Sequence, residues 1–189
     1  KKFKMLIARS FDINKPGTNI DSLKGGVIGG SIIGGALKIG DEIEISPGVE
    51  IKGKYMPLKT KVTSLFAGTE SLAEARPGGL NAIGTLLDPS ITKSDRLNGN
   101  VVGFPGTLPQ PTPRINLEIH LLERLLLQNI EKIKKGEGLV INYGTTATSG
   151  IVAELGKNSI EVVLKKPLCA EPKSRMAISR KVGSRWMLI

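Results

Sequence analysis

The sequence predicts an all-β protein made of two small domains, each a barrel or a sandwich. Short runs that alternate polar and apolar residues recur along all 189 residues, with turn-forming residues between them and almost no helical periodicity. Residues 103–113 interrupt this pattern with four prolines and two glycines, which stiffen the chain and prevent pairing as a central strand. We therefore predict a domain boundary here, with domains at residues 1–108 and 109–189.

The first domain alternates predicted strands with turns. Residues 4–9 form the first strand, and the loop at residues 12–18 follows it. In this loop Pro16 fixes φ and Gly17 permits a tight turn. The further strand candidates are residues 41–46, 59–65 and 80–87.

Glycine pairs lie among the β-branched residues of the segment at residues 23–45. They are Gly25-Gly26, Gly29-Gly30 and Gly34-Gly35. Glycine weakens a strand unless it marks a bulge, a bend, or a place where another backbone or a ligand comes close. A flexible linker would be rich in glycine and serine without the β-branched residues. This segment therefore predicts barrel strands with bends or close approaches.

The second domain begins with another alternating run, in which Ile115, Leu117 and Ile119 share one face of a strand. Leu122, Leu126, Ile130 and Ile133 have helical spacing, which predicts a short helix within residues 121–135. The remaining strand candidates are residues 139–143, 149–155, 159–164 and 176–180.

Composition limits the classes of function. The net charge of +10 suggests a polyanionic partner, and only basic charged residues follow Glu171. An ordinary solvated basic surface is the alternative. Cys169 is the single cysteine, which excludes an intrachain disulfide and predicts a small buried residue. With no apolar run of about 18 residues and no signal-peptide core, we expect a cytoplasmic protein without membrane association.

Two features that suggest enzyme chemistry fail on inspection. Residues 48–55 fit the start of a P-loop, but Tyr55 replaces the small hydroxyl residue that would bind Mg²⁺, and Met56-Pro57 argues against a following helix. We predict a polar hairpin tip there. His120 is the only histidine and lies in the polar phase of a strand, so we expect it on the surface. Aromatic residues are sparse, and we expect Trp186 to be buried rather than to stack on a base. The sequence predicts no catalytic site and no metal site.

Several segments of the sequence indicate a protein family more specifically than any of these motifs. They are residues 9–18, 23–31, 75–80, 84–85, 87–90, 93–97 and 178–186. Together they closely resemble the gamma subunit of the archaeal and eukaryotic heterotrimeric translation initiation factor that delivers initiator methionyl-tRNA. Residues 38–43 are also similar to the second-domain barrel of elongation factor Tu and its relatives. The resemblance covers essentially the whole chain.

The resemblance implies a fold and a function for each domain of the family. The family consists of a guanine-nucleotide domain followed by two β-barrels of the elongation-factor-Tu second- and third-domain type, and this chain matches only the barrels. We therefore expect a fragment, cut in its second barrel, that is not itself an enzyme and binds no cofactor. GTP and Mg²⁺ belong to the nucleotide domain of this GTPase family. The chain begins with Lys1 and ends on the apolar Ile189, which also suggests a fragment.

The resemblance further implies partners for the first barrel. In the family this barrel contacts the alpha subunit and, with the nucleotide domain in cis, holds the aminoacyl end of initiator methionyl-tRNA; ribosome and mRNA join in the full complex. The residues to which we carry this role are Arg9, Asp12, Asn14, Lys15, Gly17, Lys24, Gly25, Gly26 and Val27. The alternative is that the glycines only shape barrel corners. From charge alone, Arg180, Lys181 and Arg185 are predicted to contact RNA phosphates.

Three alternative functions remain open at this stage. A fragment of a related translational GTPase, such as a selenocysteine-specific elongation factor, is disfavoured by the phrase at residues 9–18. An enzyme acting on RNA is disfavoured by the missing acid/base residues. A non-catalytic scaffold that binds only proteins would keep affinity for the alpha subunit without binding RNA.

Overall fold

A computed structural model describes residues 2–120 and 131–189. The chain divides into two compact units, Lys1–Gln110 and Pro111–Ile189. Strands dominate the described residues of both units, as the all-β prediction requires.

The first unit is built around a closed barrel. Its strands are β1 (Lys4–Phe11), β2 (Val27–Gly34), β3 (Leu37–Lys38), β4 (Glu42–Ile51), β5 (Lys54–Ala67), β6 (Glu70–Ser71), β7 (Glu74–Ala75), β8 (Asn81–Thr85) and β9 (Val101–Gly103). The sheet order is β4-β9-β1-β2-β8-β5-β6, and an additional pairing of β4 with β5 closes six of these strands into a barrel. Strands β3 and β7 form a separate two-stranded sheet. Ile20–Ser22 and Lys93–Asp95 are 3-10 helices, and Pro89–Thr92 forms a single α-helical turn.

Alternation along the strands places the apolar residues inside this barrel. On β1, Met5 and Ile7 are fully buried, and on β4 the same is true of Ile43 and Ile45. Successive side chains of a strand point to opposite faces, so this period of two directs one face inward. The apolar area removed from water is the main favourable contribution to folding of the barrel.

The segment that resembles a P-loop is a β-hairpin. Strands β4 and β5 pair up to Ile51 and Lys54, and Lys52 and Gly53 form the turn between them. Both turn residues have positive φ, 51° and 77°, as a two-residue type I′ turn requires. The predicted hairpin tip is therefore confirmed.

The second unit contains a six-stranded antiparallel sheet. Its strands are β10 (Thr112–Glu118), β11 (Gly138–Tyr143), β12 (Thr146–Leu155), β13 (Ser159–Leu168), β14 (Ala177–Val182) and β15 (Arg185–Leu188), in the order β10-β13-β12-β11-β14-β15. Leu139, Ile141, Val152 and Val162 form the centre of its core. Cys169 is buried, as predicted.

Two expectations for the second unit have other outcomes. The predicted helix falls largely on residues 121–130, which lie outside the described residues, and residues 131–134 have no regular secondary structure. The expected burial of Trp186 is wrong, because 55% of this residue is exposed. It stands opposite Lys181 in the pairing of β14 with β15. His120 is exposed, as expected.

Candidate partner-binding loop of the first barrel

The loop between β1 and β2, residues 12–26, lies at one end of the barrel. Phe11 pairs with Val27 and Val27 pairs with Gly84, so the loop emerges beside the chain that follows β8. Hydrogen bonds join these segments. The Gly26 N–H donates to the Leu87 carbonyl at 2.8 Å, and the Thr92 hydroxyl donates to the Phe11 carbonyl at 3.1 Å. The base of the loop is thus attached to the barrel.

The side-chain amide of Asn14 holds the two halves of the loop together. Its Oδ1 accepts the Lys24 N–H at 2.8 Å, and its Nδ2 donates to the Lys24 carbonyl at 2.8 Å. Nδ2 also donates to Oδ1 of Asp12 at 2.7 Å, and the same oxygen accepts the backbone N–H of Asn14 at 2.8 Å. The Asn14 amide therefore bonds both the N–H and the carbonyl of Lys24, as the backbone of a residue on a neighbouring strand would. We call this arrangement the Asn14 clamp.

Beyond the clamp, the loop is ordered by local turns. Lys15 accepts hydrogen bonds from the Thr18 N–H at 3.1 Å and from the Thr18 hydroxyl at 2.7 Å. Between them lie Pro16 and Gly17, and the φ of +84° at Gly17 is the conformation that a type II turn needs at this position. Asn19 then caps the 3-10 helix, since its side-chain oxygen accepts the Ile20 N–H at 3.1 Å. The turn predicted from Pro16 and Gly17 is confirmed.

Three apolar side chains are exposed on this ordered loop. Ile20 is 81% exposed, Ile13 47% and Leu23 45%. Residues 12–24 contain two acidic and two basic residues, so their net charge is zero. Sequence reasoning did not select these apolar residues, although their position among turn-forming residues was a usable signal. An apolar, neutral and ordered loop is suited to contact with another protein.

Arg9 is oriented by a carboxylate that sequence reasoning missed. Its Nε donates to Oδ1 of Asp95 at 2.9 Å, and the Ser10 N–H donates to the same oxygen at 2.9 Å. The Ser10 N–H, and after it the Arg9 guanidinium, lower the pKa of Asp95. Asp95 and its neighbour Ser94 both have positive φ, 58° and 57°, which places the carboxylate beside β1. Arg9 itself is largely exposed beside the loop.

The predicted residues Gly25, Gly26 and Val27 have a packing role in the structure. A Cβ at Gly25 would lie 1.9 Å from the Thr85 carbonyl oxygen, and one at Gly26 would lie 2.2 Å from Oγ1 of Thr92. Val27 is buried in the barrel. These distances support the alternative that glycines here shape the barrel, and a direct contact with a partner remains a prediction for all three residues.

The three basic residues predicted to contact RNA differ in their surroundings. Arg180 is buried, and its Nε donates to Oε1 of Glu137 at 2.7 Å while its Nη1 donates to the Glu131 carbonyl. Its guanidinium is therefore engaged within the second unit. Lys181 and Arg185 are exposed on the β14–β15 hairpin. The prediction of phosphate contacts accordingly narrows to these two residues.

Within residues 2–120 and 131–189, no group of three or more His, Cys, Asp or Glu side chains is placed to hold a metal ion. In the same part of the chain, the helices are all too short or too polar to cross a membrane.

Comparison with known proteins reveals clear relatives. The family model described as "Initiation factor eIF2 gamma, C terminal" matches residues 113–189. Proteins named translation initiation factor 2 subunit gamma match nearly the whole chain. The Pyrococcus furiosus protein is 54% identical over 98% of this chain and 47% of its own length. The Methanothermobacter thermautotrophicus protein is 51% identical over 100% and 48%, and the Aeropyrum pernix protein is 50% identical over 98% and 47%. The chain thus spans about half the length of these relatives, and the predicted resemblance is confirmed.

Proposed function

We propose that this chain, as a relative of the gamma subunits of translation initiation factor 2, is a non-catalytic binding module of translation initiation. Its first barrel would bind the alpha subunit of the same factor and the aminoacyl end of initiator methionyl-tRNA. GTP and Mg²⁺ would be bound by a nucleotide domain acting in cis, with ribosome and mRNA as partners of the whole factor in the cytoplasm. No cofactor is proposed for residues 1–189.

The observation that supports the alpha-subunit site is the exposure of apolar side chains on an ordered loop. Ile13, Ile20 and Leu23 lie in water although the surrounding backbone is fixed by hydrogen bonds. Burial of such side chains in a partner releases roughly 25 cal/mol for each Å² of apolar surface. We therefore assign the face of Ile13, Ile20 and Leu23 to the protein partner.

Basic residues on this loop and beside it are suited to contact with RNA. Arg9 extends from β1 with its orientation set by Asp95, and Lys15 and Lys24 are also exposed. Cations near the barrel end can contact the ribose-phosphate backbone at the acceptor end of a tRNA. Lys181 and Arg185 would supply further phosphate contacts from the second unit. The net charge of +10 favours such binding at low salt.

Binding measurements over a salt series test this proposal. The chain is titrated with isolated alpha subunit, with methionyl initiator tRNA and with uncharged initiator tRNA. We expect alpha-subunit affinity to change little with salt, tRNA affinity to fall steeply, and the methionyl form to bind more tightly than the uncharged form. Failure to bind either partner would overturn the proposal.

Other outcomes would favour the alternatives. Intact alpha-subunit binding with no tRNA binding at low salt would indicate a protein-interaction scaffold. Preference for selenocysteinyl-tRNA over methionyl initiator tRNA would indicate a selenocysteine-specific factor. Cleavage of RNA by the purified chain would indicate an enzyme.

A further inference from the structure

We infer that Asn14 is a positioning residue, which holds the β1–β2 loop in its docking shape without itself contacting the partner. The inference rests on the proposed function, because it concerns how the alpha-subunit site is prepared. It changes the role expected of Asn14 from that of a contact to that of a support.

The hydrogen-bonding capacity of Asn14 is the first argument. A side-chain amide has two N–H donors and an oxygen with two lone pairs. Nδ2 donates to the Lys24 carbonyl and to Asp12, and Oδ1 accepts the Lys24 N–H, so three of these four positions are used inside the loop. This leaves no free N–H on the amide with which to recognise a partner.

The location of the clamp is the second argument. Asn14 and Lys24 are ten residues apart in sequence, and the amide joins them where the loop leaves the barrel. Fixing the ends of a flexible segment lowers its conformational entropy before the partner arrives. A segment that is already ordered loses less entropy on binding and therefore binds more tightly.

The residues beyond the clamp are the third argument. Ile20 and Leu23 are exposed on the 3-10 helix and its end, where the Leu23 N–H donates to the Ile20 carbonyl at 3.2 Å. Lys24 follows directly, and both of its backbone groups are bound to Asn14. The amide of Asn14 therefore fixes the backbone directly after Leu23, and with it the direction in which these side chains are presented.

Two variants of Asn14 test the inference in the full chain. Asn14→Ala removes the three hydrogen bonds, and Asn14→Asp keeps the volume but turns a second acceptor toward the Lys24 carbonyl and Asp12. For both we expect the dissociation constant for isolated alpha subunit to rise about tenfold. The loss of affinity should appear as a less favourable entropy of binding in calorimetry, because the partner would have to order the loop.

Amide hydrogen exchange provides a readout that a contact role would not change. In the unbound chain, Asn14→Ala should speed exchange of the Lys24 N–H by at least about tenfold. The Gly26 N–H, which donates to the Leu87 carbonyl, should exchange as before. Unchanged exchange at Lys24 would overturn the inference.

Control variants separate this inference from the proposed function. Ile20→Asp alters the docking face itself, and Asn158→Ala makes the same asparagine change at an exposed turn of the second unit. If Ile20→Asp weakens alpha-subunit binding and both Asn14 variants bind normally, the positioning role is wrong and the docking site stands. If neither position affects binding, the proposed location of the site is wrong. Asn158→Ala should behave as the unaltered chain.

Discussion

Arg180 and Glu137 form an ion pair inside the second unit. Nε of Arg180 lies 2.7 Å from Oε1 of Glu137, and only 9% and 17% of the two side chains are exposed. The same guanidinium donates to the Glu131 carbonyl, so it joins β14 to the chain that precedes β11. The pair therefore connects two segments that are distant in sequence.

The first prediction concerns the stability that depends on this pair. Arg180→Ala leaves the Glu137 carboxylate largely buried without its cation, and removal of one member of such a pair costs about 3 kcal/mol. The free energy of unfolding of Arg180→Lys should lie between those of Arg180→Ala and the unaltered chain, because an ammonium keeps the charge but loses the planar donor geometry. Urea unfolding of the chain, monitored by signals from the second unit, measures the difference.

Arg185→Ala is the matched control for Arg180→Ala. It removes an exposed arginine from the neighbouring strand and should change the free energy of unfolding by less than about 0.5 kcal/mol. Equal effects of the two substitutions would contradict a structural role for Arg180.

A second prediction concerns the space at Gly25. A methyl group on this residue would lie 1.9 Å from the Thr85 carbonyl oxygen, so Gly25→Ala must move β8 away from the loop. Forced overpacking of this kind costs about 1–3 kcal/mol. Thermal unfolding should show a lower midpoint than for Gly138→Ala, which places the same methyl group in open space at the start of β11. Equal midpoints would mean that the close approach at Gly25 is not needed for stability.

Local sequence signals were sufficient for much of the fold and of the loop. Met5 and Ile7 alternate with polar residues and are buried on β1, and Pro16 and Gly17 form the turn that these residue types favour. Each of these features depends on a few neighbouring residues, so it can be inferred from a short window of sequence.

The remaining features depend on residues that are far apart in sequence. Asp95 reaches Arg9 across 86 positions, and Glu137 reaches Arg180 across 43. Charge alone suggested that Arg180 faces water, whereas its strand position places it inside, where Glu137 can compensate the charge. Trp186 was expected to be buried, whereas it pairs with Lys181 and is 55% exposed. No short window of sequence contains the Arg9–Asp95 pair or the Arg180–Glu137 pair.

A third prediction follows from the lowered pKa of Asp95. Because the Ser10 N–H and Arg9 favour the ionised carboxylate in the folded state, its folded pKa lies below the unfolded value of about 3.9. The stabilising contribution is present above the unfolded pKa and is lost as pH falls through the folded pKa. Asp95→Asn should therefore lower the melting midpoint at neutral pH, and the difference from the unaltered chain should shrink below about pH 4.

Arg9→Ala distinguishes the two causes of this pKa shift. Since the Ser10 N–H is the largest single cause of the lowered pKa of Asp95, part of the acid-dependent difference should remain after the guanidinium is removed. The experiment compares the melting midpoint of Arg9→Ala with that of Arg9→Ala/Asp95→Asn from pH 2 to 7. A difference that no longer depends on pH once Arg9 is removed would show that the ion pair is the larger cause.

The last prediction concerns binding of RNA by the second unit. Lys181 and Arg185 are exposed, whereas the Arg180 guanidinium is hydrogen-bonded to Glu137, so we predict that the first two neutralise phosphates. Each contact releases counterions, and removal of one lowers the slope of log affinity against log salt by about 1. Fluorescence anisotropy with methionyl initiator tRNA should show this change for Lys181→Ala and Arg185→Ala. If the slopes for Lys181→Ala and Arg185→Ala both equal that of the unaltered chain, these two residues do not contact the phosphates.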